Sequence, residues 1–143
     1  MEYQNKIKLI FPSKSENESF ARNAVACFLL SLNPSIEEIN DVKTAVSEAV
    51  TNSIVHGYPN QIGDVILEAE INNGVIHISI FDNGVGIENV NEALEPFFTT
   101  KSNDERSGIG FSVMQSFMDE VKVVSKKGFG TSVYMKKTLK IGS

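Results

Sequence analysis

Three polar residues, Glu48, Asn52 and His56, recur at intervals of four in the middle of a predicted helix. Residues four apart lie above one another on an α-helix, so the three side chains should form one polar stripe. Asn is a weak helix former, and an exposed stripe normally favours Lys and Glu pairs. An Asn at mid-helix therefore suggests a use for its carbonyl oxygen, such as binding a hard cation. Taken alone, the segment fits an ordinary solvent-facing stripe equally well.

A second segment, Asp82-Asn83-Gly84-Val85-Gly86, directly follows an apolar strand. Glycines allow the backbone to turn with positive φ and to approach a ligand closely. An Asp at a strand end can accept a hydrogen bond from an exocyclic amine, such as that of adenine. By itself this segment is also consistent with a plain Asp-Asn-Gly turn.

Two further glycine-rich turns lie near the carboxyl end, Gly108-Ile109-Gly110 and Gly128-Phe129-Gly130-Thr131. The first opens a helix predicted from about 109 to 118, and helix N-termini attract anions through their N–H groups and dipole. The second enters the last predicted strand and alone would be an ordinary hairpin. The chain contains neither the Gly-Lys-Ser/Thr of a P-loop nor a Rossmann fingerprint after its first strand.

The helices and strands predicted around these residues indicate a single α+β domain over residues 1–143. Alternation and turn signals place strands at 4–11, 64–72, 75–82, 120–126 and 131–138. Helices are predicted at 15–31, at about 36–56 after a Ser35/Glu38 capping box, and at 109–118. We expect a two-layer sandwich, with a mixed, mostly antiparallel sheet covered on one face by helices. The first helix should bury Phe20, Ala24, Cys27 and Phe28.

Composition excludes several classes of function. Thirteen basic and eighteen acidic residues give a net charge of -5, which argues against a direct nucleic-acid partner. No apolar run reaches the ~20 residues that span a membrane, and no export signal is visible. The single cysteine, Cys27, excludes an internal disulfide and fits the reducing cytoplasm. We interpret it as a small core residue.

The order of these motifs along the chain resembles that of the Bergerat-fold ATPases, the superfamily of gyrase, histidine kinases and MutL. The order is Glu-x-x-x-Asn, Asp-x-Gly-x-Gly, a long polar loop, Gly-x-Gly and Gly-Thr. Chance would have to supply all four segments in sequence. Four segments, at 15–22, 46–52, 96–101 and 117–121, are also similar to the sporulation anti-sigma-F factors, a family of serine protein kinases. The similarity covers nearly the whole chain.

This resemblance implies that the chain binds ATP or ADP together with Mg²⁺. Asn52 would coordinate the Mg²⁺, and Glu48 would act as general base on the attacking serine hydroxyl. Asp82 would bond the adenine amine, with Thr131 supporting it through water. The adenine pocket would be shaped by two glycines, Gly84 and Gly86.

The resemblance also implies how the phosphates are held. Backbone amides at Gly108, Ile109 and Gly110 would bind phosphate oxygens. A lid at about 88–107 would close over them, and its contributing side chains would be Thr99, Thr100, Lys101 and Arg106.

Two protein partners are implied in addition: a sporulation sigma factor held inactive by a dimer of this chain, and an anti-anti-sigma factor phosphorylated on a serine. Arg22 on the first helix would belong to the partner-binding surface, or else be a solvated helix charge. The first strand, with Ile7, Leu9 and Phe11, is a candidate dimer seam, or else an inner strand of a monomer. Two alternatives stay open: a general-stress anti-sigma kinase with other partners, and a nucleotide-gated binding switch without phosphoryl transfer.

Overall fold

The computed structural model describes residues 4–87 and 106–140, with the backbone alone for 106–110. These ranges contain five strands: β1 (Asn5–Pro12), β2 (Asp64–Asn72), β3 (Val75–Asp82), β4 (Glu120–Ser125) and β5 (Thr131–Thr138). They also contain three α-helices: α1 (Glu16–Leu29), α2 (Ile36–Asn52) and α3 (Arg106–Phe117). All the predicted strands and helices are present, and their ends shift by a few residues.

The strands form one sheet in the order β1-β2-β3-β5-β4. Each neighbouring pair is antiparallel in the described chain, so the sheet is more regular than the mixed sheet that we expected. Asn73 and Gly74 have φ values of 53° and 77°, the two positive values that a tight hairpin between β2 and β3 requires. Because β5 lies between β3 and β4, its first residue, Thr131, stands opposite Asp82.

The helices cover one face of this sheet and close a single apolar core, which confirms the α+β sandwich. Alternate residues of the central strands point toward the helices, as the period of two requires. The buried members are Val65, Leu67, Ala69, Ile71, Ile76, Ile78, Ile80, Val133 and Met135. Helix α2 buries Val42, Ala45, Val46, Ala49 and Val50 against them, because these residues recur at helical spacing. Ser35 and Glu38 form the predicted capping box at its start.

The predicted buried face of α1 was only partly right: Phe28 packs half-buried against the core, but the fully buried residues are others. The helix buries Ala21, Val25 and Leu29, whereas Phe20 is 57% exposed and Cys27 is exposed. The segment from Ala24 to Leu30 is apolar all round, so its periodicity does not select a face. Packing of α1 against α2 decides which face is buried.

The side chains that we assigned to a dimer seam point into the molecule. Phe11 is in the core, and half-buried Ile7 and Leu9 pack against it, so this face of β1 contributes to the core of the molecule. β1 is an edge strand that pairs with β2 in the described chain, so the alternative of an inner strand is wrong too. Its outer face carries Ile10, which is 58% exposed.

The predicted second helix ends as an α-helix at Asn52, and its last turn, Ser53–Gly57, is a π-helix. The N–H of Tyr58 donates to the carbonyl of Ser53 at 3.1 Å, the i to i+5 bond that defines such a turn. Glu48 and Asn52 therefore keep regular α-helical spacing, while His56 is displaced from their stripe. π-Turns inside helices are frequent at functional sites.

Candidate functional site

Glu48 and Asn52 lie on the last two turns of α2, and both are half-buried. Neighbours four apart on a helix have Cβ atoms about 5–6 Å apart, so a carboxylate and an amide oxygen can reach one small ligand. Buried Val46, Ala49 and Val50 fix the rotation of the helix and hold the two polar residues at the margin of the core. Glu48 and Asn52 therefore keep the one-turn spacing that the sequence predicts, on the same helix.

Asp82, at the end of β3, is buried with 6% of its surface exposed. Its Oδ2 accepts a hydrogen bond from Ser53 Oγ at 2.8 Å, and its Oδ1 accepts one from the Gly84 N–H at 2.9 Å. The backbone N–H of Thr131 is a third donor to the carboxylate. Burial raises the pKa of Asp82 above its ordinary value, and the three hydrogen bonds oppose that shift. The result is a fixed, inward-facing acceptor.

Ser53 and Tyr58 position Asp82, and the sequence analysis missed both. Ser53, the first residue of the π-turn, is buried and bonds the carboxylate directly. The Tyr58 hydroxyl accepts from the Asn83 N–H at 2.7 Å and donates to the Asp64 carbonyl at 2.7 Å. Burial raises the pKa of the Tyr58 phenol. The end of α2 is thereby fastened to the ends of β2 and β3.

Gly84 and Gly86 allow the turn after β3 to fit between two other backbones. A Cβ on Gly84 would lie 2.0 Å from the carbonyl oxygen of Gly57, and the neighbouring Val85 N–H bonds that same oxygen at 2.9 Å. Gly86 has a φ of +78°, and its Cβ would lie 2.1 Å from the carbonyl oxygen of Lys126. No larger residue fits at either position without moving the backbone. The turn therefore lies tightly between α2 and the β4–β5 hairpin.

Thr131 lies opposite Asp82 in the β3–β5 ladder. The family resemblance implies that both residues serve adenine binding. The Thr131 Oγ1 lies 2.7 Å from the Ser125 Oγ on β4, a third polar residue that the sequence analysis did not single out. A serine in a strand of valines gives little signal in the sequence, because its importance depends on which strand becomes its neighbour.

Several predicted phosphate and lid residues fall outside the side chains described here: Thr99, Thr100 and Lys101 lie in 88–105, and Arg106 is described by its backbone alone. α3 begins at Arg106, about three residues earlier than predicted. Gly108 thus lies in its first turn, where N–H groups point along the helix axis toward an anion. In a regular helix the N–H of Gly110 bonds the carbonyl of Arg106, so Gly108 is the better placed of the two glycines.

Arg22 is not a freely solvated charge. Its guanidinium pairs with Glu18 one turn earlier, and the Ser47 hydroxyl donates to the same carboxylate oxygen at 2.9 Å. The Arg22 side chain is 33% exposed. This small network joins α1 to α2 at the residue that precedes Glu48.

The residues of α2 fit a magnesium ion held jointly with phosphates. Within 4–87 and 106–140, no group of three or more His, Cys, Asp or Glu side chains is placed to hold a metal by itself. Mg²⁺ commonly takes one or two protein oxygens and completes its shell with phosphate and water. The half-buried amide of Asn52 offers one such protein oxygen.

The described helices are all too short or too polar to cross a lipid bilayer.

Comparison with known proteins places this arrangement in a family. The model of the histidine kinase-like ATPase domain matches residues 11–137. The anti-sigma F factor of Clostridium beijerinckii is 56% identical over 140 residues, which is 97% of this chain and 98% of that protein. The anti-sigma F factor of a Thermoanaerobacter species is 56% identical over 137 residues, 96% of each chain.

A solved structure supports the fold. The RsbU and RsbW domains of a Mycobacterium tuberculosis protein superpose with a TM-score of 0.68 at 16% identity, over 94% of this chain. This chain spans 32% of the length of that one, and at such identity the likeness concerns the fold alone. From the family model and the near-full-length relatives together, the chain belongs to the anti-sigma F factor family and carries a histidine kinase-like ATPase domain.

Proposed function

We propose that this chain is an anti-sigma factor and a serine protein kinase. It binds and inhibits a sigma-F-type factor, and it uses ATP with Mg²⁺ to phosphorylate a serine of an anti-anti-sigma factor. One observation carries the proposal: Glu48 and Asn52 lie one turn apart on α2, and the π-turn that ends this helix holds the Asp82 carboxylate through Ser53. The proposed proton acceptor and cation ligand thus lie on α2, and the proposed amine acceptor on β3 is bonded to Ser53, the residue that follows Asn52.

The nucleotide site follows from these positions. Asp82 accepts from the exocyclic amine of adenine, Thr131 supports it, and the turn at Gly84 and Gly86 forms the wall of the pocket. Asn52 supplies the protein oxygen for Mg²⁺.

The phosphates lie toward the N-terminus of α3, where the amide of Gly108 is oriented to meet them. Ile109, in the same first turn, and the lid over about 88–107 complete this part of the site, whereas the predicted amide of Gly110 is engaged within the helix. The lid's contribution comes from Arg106, Thr99, Thr100 and Lys101.

In the transfer step, the serine hydroxyl attacks the γ-phosphorus in line with the bridging oxygen. The Oγ–P bond forms, the bond to the bridging oxygen breaks, and ADP leaves. The Glu48 carboxylate takes the hydroxyl proton as the bond forms, because a serine is too weak an acid to ionise beforehand. Asn52 would hold Mg²⁺, which when bound would neutralise charge on the phosphates and help to align them.

The two near-full-length relatives support the sigma-factor part of the proposal, since both are anti-sigma F factors. Arg22, on the surface of α1, is the residue that we assign to partner binding. We further propose that the chain is a homodimer that associates through β1, by its free edge and outer face rather than by the side chains first assigned.

The test is transfer of labelled γ-phosphate to a purified anti-anti-sigma protein in the presence of Mg²⁺. Wild type is compared with Glu48→Gln and Asn52→Ala, and two exposed residues of the same helix provide matched controls, Glu37→Gln and Asn40→Ala. We expect serine labelling by wild type and controls. Glu48→Gln should bind ATP without transfer, and Asn52→Ala should lose magnesium-dependent ATP binding.

Two outcomes would favour the alternatives. Tight, magnesium-dependent ATP binding with no label in the wild type would indicate a nucleotide-gated switch. Label on a general-stress anti-anti-sigma protein, and none on the sporulation one, would indicate the stress-response kinase.

A further inference from the structure

A row of polar residues crosses three strands at one end of the sheet. Asp82 on β3, Thr131 on β5 and Ser125 on β4 are direct cross-strand neighbours, in the register Asp82↔Thr131 and Thr131↔Ser125. Residues directly opposite each other in a ladder point to the same face. Ile80, Val133 and Val123 lie two positions from the three residues of the row, on the same face of the sheet, and are buried under the helices. The row therefore ends the core at the proposed nucleotide site.

The hydroxyl of Ser125 has three polar neighbours: the Ile87 N–H at 2.7 Å, the Gly130 carbonyl at 2.9 Å and the Thr131 hydroxyl at 2.7 Å. A serine hydroxyl has one proton to donate and two lone pairs to accept with. The Ile87 N–H can only donate, and the Gly130 carbonyl can only accept. All three contacts are satisfied in one arrangement: Ser125 donates to Gly130 and accepts from both Ile87 and Thr131.

This arrangement determines the polarity of Thr131. The hydroxyl proton of Thr131 is directed at Ser125, so the Thr131 Oγ1 presents only lone pairs to any other neighbour. Asp82 beside it already accepts from Ser53, Gly84 and the backbone N–H of Thr131. Two adjacent groups at the proposed adenine position thus act as acceptors.

We propose that Ser125 is a positioning residue that makes this site selective for 6-amino purines over 6-oxo purines. It does so by holding the Thr131 proton away from the nucleotide. An exocyclic amine, or a water that it binds, finds acceptors at Asp82 and Thr131, whereas a 6-oxo group faces lone pairs without a donor. This inference rests on the proposed function, which puts the purine against Asp82 and Thr131.

The test compares the affinities of the whole protein for ATP and ITP in Mg²⁺, by isothermal titration. Their bases differ in the 6-amino against the 6-oxo group and in the proton on N1. In Ser125→Ala the Thr131 hydroxyl can rotate and donate to a 6-oxo group. We expect the preference for ATP over ITP to fall by about tenfold, mainly through tighter ITP binding. Ser125→Thr keeps the hydroxyl and should keep the preference.

A double-mutant cycle separates this role from a merely structural one. If Ser125 acts through Thr131, the change in the ATP/ITP ratio caused by Ser125→Ala should vanish in a Thr131→Val background. An equal loss of affinity for both nucleotides, with the ratio unchanged, would overturn the inference. The inference would also be overturned if Ser125→Ala changed the ATP/ITP affinity ratio by the same factor in the wild-type and Thr131→Val backgrounds. If Ser125→Ala does not fold, a Ser125→Thr variant with an altered ratio would contradict the inference, since it retains the hydroxyl.

Failure of the underlying function gives a different result. A wild-type protein that binds neither ATP nor ITP overturns both the proposed function and this inference. A wild type that binds ATP in a magnesium-dependent way, but shows no preference over ITP, overturns the inference alone.

Discussion

Asp82 shows how a single residue combines burial with a defined hydrogen-bonding role. Desolvation in the core disfavours its charged form, and the three donors around it restore part of the lost stability. The carboxylate oxygens are consequently fixed in direction rather than free to rotate. A ligand amine meets an acceptor that needs no rearrangement, and such preorganisation strengthens binding.

Replacing Asp82 by Asn tests this role through nucleotide binding. The amide group has one acceptor instead of two, so its NH₂ must face one of the donors Ser53, Gly84 or Thr131. We expect ATP affinity to fall about tenfold to hundredfold, measured by titration calorimetry. Glu68→Gln, an exposed change on the sheet, is the matched control. ATP affinity equal to wild type would contradict the assignment of Asp82.

The raised pKa of Asp82 also predicts that the difference in stability between Asp82→Asn and wild type depends on pH. A carboxyl whose pKa is higher in the folded protein binds more protons there, so it favours folding at low pH. That contribution is lost as the pH rises from the ordinary value of 3.8 through the raised folded pKa. The stability of Asp82→Asn relative to wild type should therefore increase across this window, as measured by urea unfolding. A flat difference would show that burial does not perturb the group.

At the scale of elements, α2 is held at both ends by side chains that reach other parts of the chain. At its start, Glu38 accepts from the Ser35 N–H at 2.9 Å and from the Lys140 N–H at 2.8 Å. At its end, the π-turn is fastened through Ser53 and Tyr58. The orientation of the helix that carries Glu48 and Asn52 is therefore constrained over its full length.

The hydrogen bonds of Glu38 at the start of α2 predict that stability depends on pH in the sense opposite to that expected for Asp82. Hydrogen bonds from the backbone of Lys140 and Ser35 lower the pKa of Glu38 below 4.5. Its stabilising contribution is complete above 4.5 and is lost as the pH falls through the lowered folded pKa. Glu38→Gln should reduce the free energy of unfolding by about 0.5–1 kcal/mol at neutral pH. The difference from wild type should shrink in acid, and a difference that grows there would contradict this account.

The close contact between α2 and the turn after β3 predicts the effect of Gly84→Ala. The new Cβ would meet the Gly57 carbonyl at 2.0 Å, so one of the two backbones must move. We expect a loss of about 1–3 kcal/mol in stability, together with weaker ATP binding. Gly128→Ala is the control, since its Cβ would have nothing within 4 Å and only its φ of +86° is unfavourable. ATP binding that weakens equally in both variants would argue against the contact.

At the scale of the molecule, the residues assigned to the proposed functions lie on different elements. The nucleotide residues lie at one end of the sheet, Arg22 lies on α1, and Ile10 lies on the outer face of β1. Arg22 is nevertheless joined to α2 through Glu18 and Ser47, so a change at Arg22 can disturb the helix that carries Glu48.

Arg22→Glu should weaken binding of the sigma factor while leaving ATP affinity within about twofold of wild type. Both affinities are measured by titration. Glu18→Gln is the control for loss of the ion pair, and Lys122→Glu, an exposed position on β4 at the opposite edge of the sheet from β1, is the control for charge reversal. Equal losses of partner and nucleotide binding in Arg22→Glu would refute the separation of the two surfaces.

Association through β1 is tested at its outer face. Ile10 is paired across the sheet with half-buried Ile66, so a charge at Ile10 would disrupt an apolar contact made there by a second copy. We expect Ile10→Lys to shift sedimentation from dimer toward monomer. Ile62→Lys, at a residue 63% exposed in the loop before β2, should not change it. A dimer that survives Ile10→Lys with unchanged affinity would place the interface elsewhere.

Local patterns in the sequence were sufficient to predict the helices and strands, the capping box at Ser35, the hairpin at Asn73 and the order of the glycine-rich turns. Each of these depends on residues close together in the chain. They also placed Asp82 and Thr131 at strand ends, where the structure brings them together.

The tertiary structure alone decided which face of α1 is buried, and it identified Ser53, Tyr58 and Ser125 as partners of the site. The hydrogen bonds of these three residues to Asp82, Asn83 and Ile87 span 29, 25 and 38 positions of the chain. Periodicity describes one element at a time, whereas such contacts arise when different elements pack together. The polarity of the Thr131 hydroxyl likewise follows from counting donors and acceptors around Ser125, and that count exists only in the folded chain.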